Sequence, residues 1–190
     1  MGPPQATADA TASSEEEVAA RHAYLSLARH IRQQNQPICG LWPLGVNKGC
    51  EEVPRCLAMA LVSLGISVGL VAPSECWRDG TSQARLSISA LGEGIDLLTP
   101  EWKQRRNVAA AIEQTLEQVR DHYRCILLDL SGLDTVAVRE VALLPGLAIV
   151  LFAGAGQIGE FALAKIRRRF PAERLMGAVL VDIDPSGAVD

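Results

Sequence analysis

Short apolar strands alternating with amphipathic helices predict a three-layer α/β domain, a mainly parallel sheet with helices on both faces. Three observations carry this. The strand candidates read as continuous apolar runs, as strands covered on both faces do. Helical-period segments of ten or more residues separate them, the pattern of repeated βαβ units. A chain of 190 residues with 48% hydrophobic side chains can bury one substantial core and is too short for two ordinary domains.

Along the chain, Met1 to Ser14 is rich in Ala, Thr, Ser and Pro and is expected as a disordered tail, with 15–190 as the single domain. Glu15 to Gln34 carries Val18, Ala19, His22, Leu25, Leu27, Ala28 and Ile31 at helical spacing. Its acidic start, Glu15-Glu16-Glu17 behind Ser13 and Ser14, complements a helix macrodipole. Ile38 to Leu44 is a strand candidate, followed by a turn from Gly45 to Gly49. A helix is expected from about Glu51 to Leu64, with Pro54 tolerated in its first turn and Gly65 as its stop. Ser67 to Val71 is the next strand. Pro73 to Gly94 is polar and reads as irregular, and Ile95 to Leu98 as a short strand. Asn107 to Tyr123 places Val108, Ala111, Ile112, Thr115, Leu116 and Val119 on one helical face. Cys125 to Leu130, Leu147 to Phe152 and Met176 to Val181 complete the strands, with a helix from Gly159 to Phe170 between the last two.

Composition narrows the function. A net charge of -4 with scattered basic residues offers no footprint for a nucleic-acid backbone, so no nucleic-acid partner is expected. The five cysteines, Cys39, Cys50, Cys56, Cys76 and Cys125, form no C-x-x-C pair, which indicates a reducing cytoplasmic setting and no zinc site. The N-terminus lacks the basic and apolar regions of a signal peptide. No apolar run approaches the roughly 20 residues that span a bilayer. His22, His30 and His122 join no nucleophile and carboxylate in a hydrolytic triad.

In an open α/β sheet the ligand sits beyond the carboxyl ends of the strands, which makes the turn after Leu44 the natural phosphate site. A working loop of the form G-x-x-x-x-G-K-S/T needs glycines for close backbone approach, a lysine for charge and a hydroxyl for magnesium. Counting from Gly45 puts Cys50 at the second glycine, Glu51 at the lysine and Glu52 at the hydroxyl. Counting back from the helix keeps Gly49 and puts Cys50 and Glu51 at the last two places. Either register loses both groups and sets an acid where an anion should bind. Lys48 lies close enough to be weighed as a substitute cation, but a solvated turn lysine is the simpler reading.

With these segments in place, the chain resembles the ATPase domain of bacterial tyrosine kinases of capsule and exopolysaccharide synthesis, within the ParA/MinD-like P-loop superfamily. The likeness runs over residues 20–184. It rests on Tyr24 to Gln34, on Ile38 to Gly65, on Ser67-Val68-Gly69-Leu70-Val71 and on Gly94-Ile95-Asp96-Leu97-Leu98. Tyr123 to Asp129 resembles the Walker B strand, with Ser131-Gly132-Leu133-Asp134 after it, and the closing strands are similar as well. The acid that follows the family's second strand is replaced by Ala72-Pro73-Ser74. A tyrosine-rich tail is absent, since Tyr24 and Tyr123 are the only tyrosines. Asp129 keeps the Walker B position. The resemblance therefore implies a degenerate member with no cofactor, no catalytic residue and no metal. It implies a non-enzymatic adaptor role at the cytoplasmic face of the inner membrane, reached through a partner. That partner is a polysaccharide chain-length regulator or an intact paralogue, with a homo-oligomer as a further arrangement. A ParA/MinD-like positioning role is the alternative within the same fold.

A different signal comes from Gly154-Ala155-Gly156-Gln157-Ile158-Gly159, a G-x-G-x-x-G between a strand and a helix, with Asp182 about 20 residues on, as dinucleotide sites require. That motif ordinarily opens a fold, whereas here it lies near the end of the chain. Arg167-Arg168-Arg169 reads as the cationic end of a helix. Trp42, just before the turn, and Trp77, after the second strand, are weighed as apolar filling of the vacated pocket against ordinary core packing.

Overall fold

The computed structural model describes residues 6–35, 37–44, 52–71, 86–100, 108–154, 164, 166–168 and 170–181. In chain order the elements are α1 (Ala6–Gln33), β1 (Ile38–Pro43), α2 (Val53–Ser63), β2 (Val68–Val71), β3 (Leu86–Gly92), β4 (Ile95–Pro100), α3 (Val108–Val119), β5 (Cys125–Asp129), α4 (Thr135–Val141), β6 (Leu147–Gly154) and β7 (Leu175–Val181). A 3-10 turn, Ala172–Arg174, leads into β7.

The strands form one sheet in the order β3-β4-β2-β5-β1-β6-β7. Every neighbouring pair is parallel except β3 with β4. β1 lies between β5 and β6, with Ile38 opposite Ile126 on one side and Leu147 on the other. Its six residues are all buried.

Alternation along each strand divides the core into two layers. Ile38 and Trp42 of β1, Ile126 and Leu128 of β5, and Ile149 and Leu151 of β6 point to one face. There they meet Val108, Ile112 and Leu116 of α3, Val138 and Val141 of α4, and Ile166 and Phe170. Cys39, Leu41, Leu127, Val150 and Phe152 point to the other face, against Ala28 and Ile31 of α1 and Leu57, Ala58 and Leu61 of α2. Helices cover both faces, the expected three-layer arrangement.

Three local readings change. The stretch expected to be irregular as far as Gly94 contains β3, which pairs antiparallel with β4 through a turn where Gly94 has φ +75. Both faces of β3 are largely exposed, so its apolar residues had no buried side from which to produce a clear strand pattern. A short helix, α4, occupies Thr135–Val141, a stretch assigned to no element from the sequence. α1 begins at Ala6, well ahead of the expected start at Glu15, and runs through the region expected as a tail. Of the expected helix from Gly159 to Phe170, Ala164, Ile166 and Arg167 are helical; the turn at 155–160 lies outside the described residues. Among the described residues no helix is long and apolar enough to cross a membrane.

Candidate nucleotide crevice

The chain reverses its direction of progress across the sheet at β1. From β1 it passes over β5 to reach β2 and β4, returns through β5, and then leaves on the other side through β6 and β7. A crevice opens beyond the carboxyl ends of strands at such a switch point. The residues that lead to it are Pro43 and Leu44 from β1, Asp129 to Ser131 from β5 and Gly154 from β6. Leu44 is tied to the rim by its N–H, which donates to Phe152 O at 2.8 Å. The five positions Gly45, Lys48, Gly49, Cys50 and Glu51 lie outside the described residues.

Glu52 stands at the N-cap of α2, exposed, with no hydrogen bond from its side chain to the helix end. Pro54 occupies the first turn, with Val53 and Pro54 buried. A helix N-terminus binds anions through its free N–H groups, and proline supplies none. Cys56 N–H is already committed to Glu52 O at 2.9 Å. The first turn thus has one donor fewer than usual and a carboxylate beside those that remain.

Asp129, at the carboxyl end of β5, is registered against Leu41 of β1, which places it beside the central strand. Its Oδ1 accepts the Ser131 N–H at 2.9 Å, an Asx-type turn that leads the chain out of the strand. Asp134 has a comparable backbone role: its Oδ1 accepts the N–H groups of Val136 at 2.9 Å and Ala137 at 2.8 Å and caps α4. Its signal in the sequence was an Asp immediately before an apolar helical stretch. Among the described residues no group of three or more His, Cys, Asp or Glu side chains gathers as a metal site.

Trp42 is buried on the α3 and α4 side of the sheet, where its ring lies 5.4 Å from that of Phe170. Core packing accounts for it, and Trp77 lies outside the described residues. The glycine motif after β6 is only partly described: Gly154 ends the strand opposite Val181 of β7, while Gly156, Gly159 and Asp182 lie outside the described residues. β6 and β7 succeed one another outward from β1 without a reversal, and β7 is the sheet edge. Among the described residues, that end of the sheet shows no reversal of strand order, the feature that marks a dinucleotide crevice.

No protein-family model matches the sequence, and no curated protein matches it. Solved structures do match in fold. The VpsO kinase domain superposes with a TM-score of 0.68 at 14% identity, over 92% of this chain and 99% of that one. The kinase domain of the Escherichia coli tyrosine kinase ETK gives 0.60 at 15% identity, over 87% of this chain and 78% of that one. The BceF tyrosine kinase domain gives 0.57 at 16% identity, over 86% and 76%. The chain has the fold of the bacterial tyrosine-kinase domains, which is the fold class expected from its sequence.

Proposed function

We propose that this chain is a degenerate relative of the bacterial tyrosine kinases that does not use ATP and serves as a non-enzymatic adaptor in envelope polysaccharide synthesis. The observation that carries the first half is the start of α2: an acidic N-cap, Glu52, followed by a proline in the first turn, on the helix that follows the central strand. The sequence of the preceding loop supports the same reading, since in one register Glu51 and Glu52, and in the other Cys50 and Glu51, stand where the lysine and hydroxyl belong. A triphosphate brought there meets like charge and a reduced set of donors. The Asp129 carboxylate, engaged by the Ser131 N–H, has a sufficient role in shaping the turn.

The adaptor half rests on the resemblance to kinases that work beside a membrane-embedded chain-length regulator. A fold retained without its ligand site still offers its surface to a protein partner. The expected partner is that regulator or an intact kinase paralogue, met at the cytoplasmic face of the membrane.

Calorimetry with magnesium and ATP tests the first half. The expected outcome is no saturable binding tighter than about 1 mM, with no ATP turnover. Micromolar binding that Lys48→Ala abolishes would show that the loop is functional in an unusual form and would remove the basis of the proposal. For the second half, affinity capture from the native host is expected to recover polysaccharide-export components. Recovery of cell-division or DNA-segregation proteins without them would replace the adaptor role with the positioning role.

A further inference from the structure

At the opposite end of the strands, beyond the amino ends of β1, β2 and β5, lies an open cleft of about 210 Å³. Buried side chains line its inner part: Ile31 from α1, Ile66 ahead of β2, and Cys125 at the start of β5. Its rim is exposed and cationic, with Arg32 in the last turn of α1, Asn35 just beyond it, and Arg124 immediately before β5. Among the described residues no Asp or Glu lines the cleft, although acidic residues outnumber basic ones in the chain. Among the described residues neither guanidinium has an ion-pair partner, the one ion pair there being Arg120 with Asp121.

The backbone that carries the two arginines is fixed. Arg124 N–H donates to Ser67 Oγ at 3.2 Å, and Cys125 N–H donates to Ser67 O at 3.2 Å. The end of α1 is closed by Gln34 N–H to His30 O at 3.0 Å and Asn35 N–H to Arg32 O at 3.2 Å, with Asn35 in the left-handed region at φ 50. Arg32 does complement the negative end of α1. That end and the carboxyl end of α2, whose C-cap Leu64 also lines the cleft, together carry about one elementary charge, against two full charges from the guanidiniums. The cleft therefore stays net positive, and guanidinium forks match the oxygens of a phosphate or carboxylate.

We propose that this cleft binds a small organic anion, a phosphate monoester whose phosphate meets Arg32 and Arg124 and whose apolar body rests on Pro37 and Leu64, the lining residues whose apolar surface is accessible. The volume is below the roughly 300 Å³ at which drug-sized sites begin, so the ligand is a small molecule with one ring or a short chain. The site is independent of the nucleotide crevice, since it lies at the other end of the strands and is built from different residues.

Titration of the full chain with phenyl phosphate, followed by the amide resonances of Ile66 and Cys125, tests this. Saturable binding is expected with a Kd of about 1 mM or tighter, weakened about tenfold by Arg32→Gln and again by Arg124→Gln. Inorganic phosphate, which lacks the apolar body, is expected to bind more weakly, and Lys48→Ala to leave binding unchanged. Thermal melts of the variants establish that they remain folded. Absence of saturation, binding indifferent to both arginines, or binding lost in Lys48→Ala would each overturn the proposal. Equal affinity for inorganic phosphate would overturn the role of the apolar floor.

Discussion

Gly69 and Gly40 lie inside strands, and the space around each decides what it tolerates. A β-carbon at Gly69 would sit 2.9 Å from Tyr123 Cδ2 and 2.8 Å from Leu98 Cδ1, and an aromatic ring yields little. At Gly40 the neighbours are the Cδ1 ends of Ile149 and Leu130, both at 2.8 Å, which can turn aside more easily. Urea unfolding is therefore expected to show Gly69→Ala losing about 1–3 kcal/mol, and Gly40→Ala clearly less. Tyr123 is held in place over Gly69 by its hydroxyl, which donates to Asp96 Oδ2 at 2.9 Å. Burial first, then this bond to a carboxylate, pushes the phenol up to about 12 from an ordinary 10.0. A raised phenol pKa contributes stability that is complete below the unfolded value near 10.0 and is lost as pH rises through about 12. Tyr123→Phe is thus expected to lose about 1 kcal/mol at neutral pH and to lack the fall in stability between those two values, read from denaturation at a series of alkaline pH values. Cys39 is held well above the usual thiol range by its hydrogen bond with Cys125 and by burial, which leaves it a packing residue in the α1 and α2 layer.

At the scale of the element, α4 depends on its ends more than on its length. It has seven residues, too few to persist alone, and packs through Val138 and Val141, with Ala137 partly buried against the same core. Asp134 satisfies two of its orphan donors at once. Asp134→Ala is expected to destabilise the fold by about 1 kcal/mol, with Asp134→Asn recovering most of it, as measured by denaturant midpoint. Beyond α4 the chain is secured by Arg174, whose Nη1 donates to the carbonyls of Leu144 at 3.2 Å and Leu147 at 3.1 Å. That side chain joins the 3-10 turn to the start of β6 through one guanidinium nitrogen. The same dependence on partners explains β3: it is a strand because β4 offers it an edge, while six of its seven residues stay exposed.

For the whole molecule, burial and pairing set a gradient of local stability. β1 is flanked on both sides and β6 is buried along all eight residues, whereas β3 is paired on one side and largely exposed. Hydrogen exchange is expected to be slowest in β1, β5 and β6, at the rate of global unfolding, and fastest in β3. Slow exchange in β3 together with rapid exchange in β1 would contradict this order. The same gradient leaves the crevice on the most stable strands. The exposed N-cap Glu52 of α2 can vary there without disturbing the buried face of Leu57, Ala58 and Leu61.

The sequence by itself determined the layers, the parallel character of the sheet and the positions of its central strands, because those depend on apolar runs and helical periodicity that are local. It also supplied the residue types at counted positions on which the proposed loss of the phosphate loop rests. Only the tertiary structure decided the rest. The strand order and the antiparallel β3 depend on which edges meet, and the cap at Asp134 depends on donors that exist only once α4 has formed. The cleft between Arg32 and Arg124 unites residues distant in the chain, since side chains on separate elements acquire a common surface only when the sheet has brought the amino ends of β1, β2 and β5 together.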